Sequence, residues 1–145
     1  MKRSFIDAAA AVVALSAFIS VDRARTVVER EAVEKPLKMY LSGDPEQLKQ
    51  AFHPGATMFF ARNDSLIAVP IPEYIARVTE SRAKGPPPQR LERIANVDIS
   101  GTSAVARIEL EYPQQKLTDY MSLVKYGGEW RIVNKIFSRE MVQPK

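Results

Sequence analysis

The sequence contains no cysteine and only one histidine, His53. The absence of cysteine excludes disulfides, thiolate metal sites and cysteine nucleophiles. A single imidazole is too few for a transition-metal site, because such sites usually combine two or more histidine or cysteine ligands. We therefore expect neither a bound metal nor a cofactor.

No part of the sequence is dominated by charge of one sign. The 145 residues include 21 Lys and Arg and 17 Asp and Glu, for a net charge of +4, and the two signs are interleaved. Nucleic-acid-binding proteins usually concentrate basic residues on one face or stripe. The pattern therefore predicts no nucleic-acid partner, and the length fits one domain with a self-sufficient core.

A long apolar run occurs only near the N-terminus, where Lys2 and Arg3 precede fourteen uncharged, mostly apolar residues, 8–21. A basic start followed by such a run is typical of a secretory leader, and the run is too short to span a membrane. However, Asp7 borders the run and no small-x-small cleavage site follows it. Residues 1–24 are thus either a signal peptide or a retained apolar helix. Cleavage would place the protein in the periplasm or outside the cell, and retention in the cytoplasm.

The remaining residues, 25–145, predict a single domain that begins with helices. Apolar spacing and turn residues predict three helices and two strands in its first half: helices over 25–41, 45–52 and 72–84, and strands over 56–61 and 66–71. Pro36 should kink or split the first helix, because an internal proline removes one backbone hydrogen bond. Asp44 followed by Pro45 is typical of a helix N-terminus.

The second half alternates polar and apolar residues and predicts strands over 90–99, 104–112, 117–126 and 129–137. Leu91 and Ile94 cannot share a face under strict alternation, which indicates a bulge near Ala95 and Asn96. Helices followed by an antiparallel meander predict an α+β fold, with one sheet curled around the helices.

The last hairpin predicts which residues share a face. Gly127-Gly128 between two alternating runs is a strong signal for a two-residue turn, so Tyr126 should pair with Glu129. One face then carries Asp119, Met121, Leu123, Lys125, Trp130, Ile132, Asn134 and Ile136. This face is the more apolar, so we assign it to the interior. The assignment places Asp119 and Asn134 within reach of a shared polar partner.

The opposite face of the hairpin mixes apolar and polar side chains. We expect it to form a two-fold homodimer interface, because an exposed apolar patch rimmed by charge usually marks a contact surface. The residues assigned to this dimer face are Tyr120, Val124, Val133, Lys135 and Phe137.

The chain resembles the nuclear transport factor 2-like superfamily, and within it the branch named for lumazine binding. The resemblance covers roughly residues 31–137 and rests on Asp44-Pro45-Glu46, Phe52-His53-Pro54, Thr118-Asp119-Tyr120 and the block Glu-Trp-Arg-Ile-Val-Asn-Lys at 129–135. It implies a SnoaL-like or ketosteroid-isomerase-like fold, in which a cone-shaped, curved mixed sheet wraps about three helices. A pocket for a small molecule in the concavity, and dimers through the outer face, are also implied.

The residues expected to line this pocket are Tyr40, His53, Met58, Phe60, Asp119, Met121, Trp130 and Asn134. A carboxylate in an apolar cone tends toward a raised pKa, which suits a general acid or a hydrogen-bond donor. Alternatively, Asp119 satisfies a backbone N–H or a helix group. His53 either turns into the pocket or fixes the His-Pro-Gly turn by a hydrogen bond.

Ketosteroid isomerase, a member of the same superfamily, uses a helix tyrosine, a strand carboxylic acid and a separate carboxylate base. Tyr40 and Asp119 match the first two, but the first strand offers Met58 and Phe60 on one face and no base. Two hypotheses remain: a non-catalytic domain that binds a partly apolar molecule, which we favour, and a cofactor-independent lyase or isomerase using Asp119 with His53 or Tyr40. A cone filled with side chains would instead favour a pure interaction domain.

Overall fold

The computed structural model describes the backbone of residues 6–142 and the side chains of residues 23–142. The chain divides into two compact units, residues 1–31 and 32–145. The described part of the first unit is helical and belongs to α1 (Ile6–Ser42). The predicted leader includes residues 1–5, which lie outside the described residues. Over residues 6–142, no helix has the length and apolar character that a membrane crossing requires.

The second unit combines the end of α1 with two more helices and six strands. These are α2 (Pro45–Ala51), β1 (Phe52–Arg62), β2 (Ser65–Pro70), α3 (Ile71–Lys84), β3 (Leu91–Ser100), β4 (Ser103–Tyr112), β5 (Gln115–Tyr126) and β6 (Glu129–Met141). The strands form one curved, unclosed sheet in the order β2-β1-β6-β5-β4-β3. Only the β1–β6 pair is parallel among these strands. The predicted α+β class with a mixed sheet is confirmed.

The helix ends follow the local sequence except at one point. The α1 helix continues through Pro36, so of the two predicted effects, a kink or a split, the split is wrong. Leu37 and Tyr40, which follow the proline, are buried in the core, and this burial outweighs the one backbone hydrogen bond that proline removes. The α2 helix begins after Asp44 as predicted, because the Asp44 side chain accepts a hydrogen bond of 2.9 Å from the Gln47 N–H.

The sheet contains a β-bulge in the strand pair β3–β4. The register shifts between Ile94 and Asn96, which confirms the bulge that the apolar pattern predicts. Beyond it, β4 alternates strictly and buries its inward residues. The core-facing side chains of β4 and β5 are Ala104, Ala106, Ile108, Leu110, Asp119, Met121 and Leu123.

A second bulge lies in β6 and is not predicted by the sequence pattern. Pairing proceeds as expected from the turn as far as Leu123 with Ile132, but Ser122 then pairs with Asn134. Val133 is therefore an extra residue without a partner in this ladder. One extra residue reverses the faces of every side chain that follows it in the strand.

This bulge reverses the faces of β6. Lys135 is only 4% exposed and Phe137 packs against the core, whereas Ile136 is 47% exposed. Asn134, on the same side as Ile136, faces away from the core. The predictions that Asn134 lines the pocket and that Lys135 and Phe137 belong to the dimer face are therefore wrong, because strict alternation fails at Val133.

Candidate functional site

A closed polar triangle is buried where α1 meets strands β5 and β6. Tyr40 Oη donates a hydrogen bond of 2.6 Å to Asp119 Oδ2. Lys135 Nζ donates one of 2.7 Å to Tyr40 Oη and lies 3.1 Å from Asp119 Oδ2. We call these three residues the interior cluster.

Each member of the interior cluster is positioned by its own element. Tyr40 lies on the buried side of α1, and Asp119 shares the buried face of β5 with Met121. Lys135 points inward because of the bulge, and its ladder partners are Met121 on β5 and Met58 on β1. The amine is thus held in the middle of the sheet, with an apolar side chain on each neighbouring strand.

Burial changes the acid–base properties of the cluster. It lowers the pKa of the Lys135 amine, and the adjacent Asp119 carboxylate opposes this shift without cancelling it. Burial, reinforced by the charge of Asp119, raises the pKa of the Tyr40 phenol well above its ordinary value. The phenol therefore stays protonated and donates to the carboxylate. The amine gives up its proton more readily than a solvent-exposed lysine does.

Aromatic rings surround the amine. Lys135 Nζ lies 4.8 Å, 5.8 Å and 5.1 Å from the ring centroids of Tyr40, Tyr74 and Phe137, respectively. Distances within about 6 Å allow a favourable cation–π interaction. Phe52 extends this lining, with its ring 5.9 Å from that of Tyr40 and 6.5 Å from that of Tyr74. The ammonium form is thus stabilised by ring faces as well as by a carboxylate.

One oxygen of the cluster is left without a partner. Asp119 is fully buried, and its Oδ1 atom has no hydrogen-bond partner among the described residues. A buried acceptor in this condition costs about 1–3 kcal/mol, and such groups are rare in native proteins. The cluster therefore presents a free acceptor beside an amine donor, an arrangement suited to a molecule with neighbouring N–H and C=O groups.

Two surface clefts each include one aromatic ring that lies near the interior cluster, but Tyr40, Asp119 and Lys135 line neither cleft. The larger, of about 520 Å³, is lined by residues of α2, α3 and the start of β1, including Phe52, His53, Ile71 and Ile75. The smaller, of about 310 Å³, is lined by residues of β1, β2, β5 and β6, including Phe60 and Phe137 and, from the outer face, Tyr120 and Ile136. The rings of Phe60 and Phe137 lie 4.8 Å apart. Phe137 thus lines this smaller cleft and also lies near the Lys135 amine.

The structure brings together some of the predicted pocket residues and separates others. Tyr40 and Asp119 bond directly, and Met58 and Met121 flank Lys135 in the sheet. Trp130 is also buried, but it lies at the hairpin end of the sheet, where Lys125 Nζ is 6.0 Å from its ring. Asn134, on the other face, donates to the Thr57 carbonyl at 3.2 Å.

His53 is not paired with Asp119. Its Nδ1 accepts a hydrogen bond of 3.0 Å from the Gly55 N–H, and its ring packs edge-on against Tyr126 at 5.8 Å. Of the two interpretations from sequence, the structure matches the hydrogen bond that fixes the His-Pro-Gly segment. The described residues bring no three His, Cys, Asp or Glu side chains together as a metal site would require.

Sequence reasoning missed two residues of the site: Lys135, a member of the interior cluster, and Tyr74, whose ring lies near the Lys135 amine. A signal for Lys135 was nevertheless present, because a buried carboxylate usually needs a cation or several donors. The sequence predicts Asn134, or else a backbone N–H or a helix group, as the partner of Asp119; Tyr40 on α1 is such a helix group, and Lys135 is not among these alternatives. A shift of one residue in β6 supplies Lys135 instead.

A curved mixed sheet with helices packed on one face is the architecture of nuclear transport factor 2-like proteins. The chain is similar to such a protein of unknown function from Shewanella baltica, with 30% identity and a TM-score of 0.69 over 79% of this chain and 95% of the other. A second, from Methylobacillus flagellatus, is 33% identical, with a TM-score of 0.66 over 79% and 94% of the two chains.

The family follows from the sequence match. Residues 24–138 match the family described as "Putative lumazine-binding", and the chain belongs to this family of the nuclear transport factor 2-like superfamily. Among curated proteins, the chain is similar to the aldolase FrzH of a Cladobotryum species. The identity is 28% over 112 residues, which cover 74% of this chain and 79% of the relative.

Proposed function

We propose that the helix-covered face of the sheet binds a small, partly apolar molecule at the interior cluster. The observation that carries this proposal is the buried Asp119 Oδ1 atom without a partner among the described residues. A ligand N–H or O–H group satisfies this acceptor, and a neighbouring ligand carbonyl accepts from Lys135. Because Tyr40, Asp119 and Lys135 line neither cleft, the ligand has to displace the Phe137 ring, and the rings of Tyr74 and Phe137 then cover its apolar part.

Lumazine is a suitable test ligand because its chemistry matches this arrangement and because the family is named for it. It is a flat heterocycle in which ring N–H groups adjoin carbonyl groups. Its N–H groups are donors for Asp119, and its carbonyls are acceptors for Lys135. Its flat faces suit the aromatic lining.

A cofactor-independent lyase that acts on carbon–carbon bonds is the second candidate. The similarity to the aldolase FrzH supports it, as does the contact of an amine, a carboxylate and a phenol in one buried cluster. In this candidate, Lys135 and Tyr40 take the place of His53 as partners of Asp119, because His53 bonds to the Gly55 N–H instead. Tyr40, the other candidate partner of Asp119 from the sequence, bonds to it directly.

The Asp119→Asn variant is expected to bind lumazine about 10-fold or more weakly than the wild type. A hydrogen bond to a charged acceptor contributes about 1.5–3 kcal/mol, and asparagine removes the charge. Fluorescence titration of lumazine measures the affinity, with near-UV circular dichroism to confirm the fold. Asp98→Asn, which changes an exposed carboxylate on β3, is the matched control and should bind like the wild type. Equal affinity of the Asp119 variant and the wild type would contradict the proposal.

The outer face of the sheet supports a second proposal, a homodimer. After correction for the bulge, this face carries Val105, Tyr120 and Ile136, which are 54%, 49% and 47% exposed. Tyr120 and Ile136 are direct partners on β5 and β6, so their side chains form one patch. Val124 and Val133 remain partly exposed beside it.

Ile136→Glu is expected to shift the protein toward the monomer in sedimentation equilibrium, because the charge would be buried in the interface. Leu91→Glu is the control, since Leu91 is equally apolar and 73% exposed but lies on the far edge strand β3. A wild type that remains monomeric at high micromolar concentration would overturn the dimer.

A further inference from the structure

We propose that Lys135 is a nucleophile that forms a Schiff base with a neutral aldehyde or ketone. This inference rests on the proposed binding of a small molecule at the interior cluster, and it specifies the substrate class and the covalent step. The amine contacts both a phenol and a carboxylate within 3.1 Å. Lysines act as Schiff-base nucleophiles in sites that hold the amine away from water beside groups that move protons.

The cluster contains the proton carrier that the reaction needs. Asp119 first takes a proton from the Lys135 ammonium, and the amine lone pair bonds to the carbonyl carbon while the C=O π pair moves to oxygen. Asp119 gives its proton to that oxygen and takes a second one from the new C–N nitrogen. It then protonates the hydroxyl, which leaves as water as the C=N bond forms. One ammonium and one carbonyl thus become one iminium and one water, and Asp119 ends ionised.

Tyr40 is a positioning residue in this scheme. Its hydroxyl donates to Asp119 Oδ2 and accepts from Lys135 Nζ, so it fixes the amine beside the carboxylate. The free Oδ1 atom of Asp119 is then the oxygen that exchanges protons with the substrate. Oδ2 therefore holds the phenol and the amine in place, and Oδ1 exchanges protons with the substrate.

The charges at the site favour a neutral substrate. Within the cluster, one ammonium faces one carboxylate. The nearby Arg90 guanidinium is already bound by Glu92, the Tyr112 hydroxyl and the Leu41 carbonyl, at 3.1 Å, 3.0 Å and 2.8 Å. A substrate carboxylate would compete with Asp119 for Lys135, whereas an uncharged ketone or aldehyde would not.

Access to the amine requires the Phe137 ring to move. This ring is only partly buried, lies 5.1 Å from Lys135 Nζ and lines the smaller cleft together with Tyr120 and Ile136 of the outer face. Because the proposed dimer would cover this cleft, a small apolar carbonyl compound enters along it in the monomer.

Reductive trapping with acetone tests the proposal on the full-length protein. Sodium cyanoborohydride supplies the hydride that converts the iminium to a stable secondary amine, and peptide mass mapping locates the added isopropyl group. At neutral pH we expect Lys135 to be modified faster than Lys125, a lysine of the same hairpin. The rate ratio should be on the order of 10-fold for each unit by which burial lowers the pKa of Lys135, because the neutral fraction rises in proportion.

Substitutions and pH separate this reaction from general lysine labelling. Lys135→Met should abolish the fast modification and Lys125→Met should retain it, with circular dichroism to confirm folding. Labelling of Lys135 should also persist to lower pH than labelling of Lys125. Equal labelling of all lysines, or none at Lys135 in the wild type, overturns the Schiff base. If Asp119→Asn still weakens lumazine binding in that case, the binding proposal stands alone; if it does not, both proposals fall.

Discussion

Replacing Asp119 by alanine is expected to lower the free energy of unfolding by about 3–5 kcal/mol. The substitution leaves the Lys135 ammonium buried without its counter-ion, and it also removes the acceptor of the Tyr40 hydroxyl. Removing one partner of a buried ion pair is costly because the remaining charge has lost its hydration and has no opposite charge beside it. Urea denaturation followed by Trp130 fluorescence measures the change.

Two controls separate the buried pair from ordinary effects of charge. The double variant Asp119→Leu/Lys135→Met removes both charges and should recover most of the loss, because apolar replacements of a buried pair are often nearly neutral. Glu73→Gln breaks an exposed pair with Arg77, with side chains 52% and 62% exposed, and should cost less than about 1 kcal/mol. A double variant as unstable as the single one would show that the pair is not the cause.

Alkaline pH is expected to destabilise the protein by about 2–3 kcal/mol between about pH 10 and 12 through Tyr74. Burial, reinforced by the charge of Asp119, raises the pKa of Tyr74 to about 12. The unfolded chain releases this proton near pH 10, so the native state binds more protons in this window. The contribution is therefore complete below pH 10 and is lost as pH rises toward 12. Tyr40, whose pKa is also raised, adds in the same direction.

Lys135 changes the stability with pH in the opposite direction to Tyr74. Its pKa is lowered in the folded state, so the unfolded chain binds more protons between the folded and unfolded values. Stability from this group therefore rises with pH up to about 10.5.

Tyr74→Phe should flatten the alkaline loss, and Tyr126→Phe, at the exposed hairpin tip, should leave it unchanged. Urea unfolding at a series of pH values gives the slopes. Identical slopes for Tyr74→Phe and the wild type would exclude this cause.

The sequence predicts the fold well where two local signals agree. The Gly127-Gly128 turn and the alternation of β5 together place Asp119 in the interior, and the structure buries it there. The bulge in β3 is also predictable, because Leu91 and Ile94 break strict alternation. In each case the apolar pattern distinguishes one register from the other.

The bulge at Val133 lacks such a signal. Beyond it, one register buries Asn134 with Ile136 and the other buries Lys135 with Phe137, and both sets pair one polar with one apolar residue. The apolar pattern therefore cannot choose between them. The choice depends on long-range interactions, which include the parallel pairing of β6 with β1 and the contact of Lys135 with Asp119.

The interior cluster illustrates the same limit. Tyr40 is 79 residues from Asp119 and 95 residues from Lys135 along the chain. Helical spacing shows that Tyr40 faces the core, but not which polar group it meets there. A buried carboxylate requires a partner, and this requirement is the physical argument that would have indicated Lys135.

A crystal structure of the full-length protein with lumazine tests the functional assignment most directly. We predict a ligand N–H within hydrogen-bonding distance of Asp119 Oδ1, a ligand carbonyl beside Lys135 Nζ, and a rotated Phe137 ring. Lumazine bound instead in the cleft lined by Phe52 and Ile75, with the interior cluster unchanged, would contradict the account.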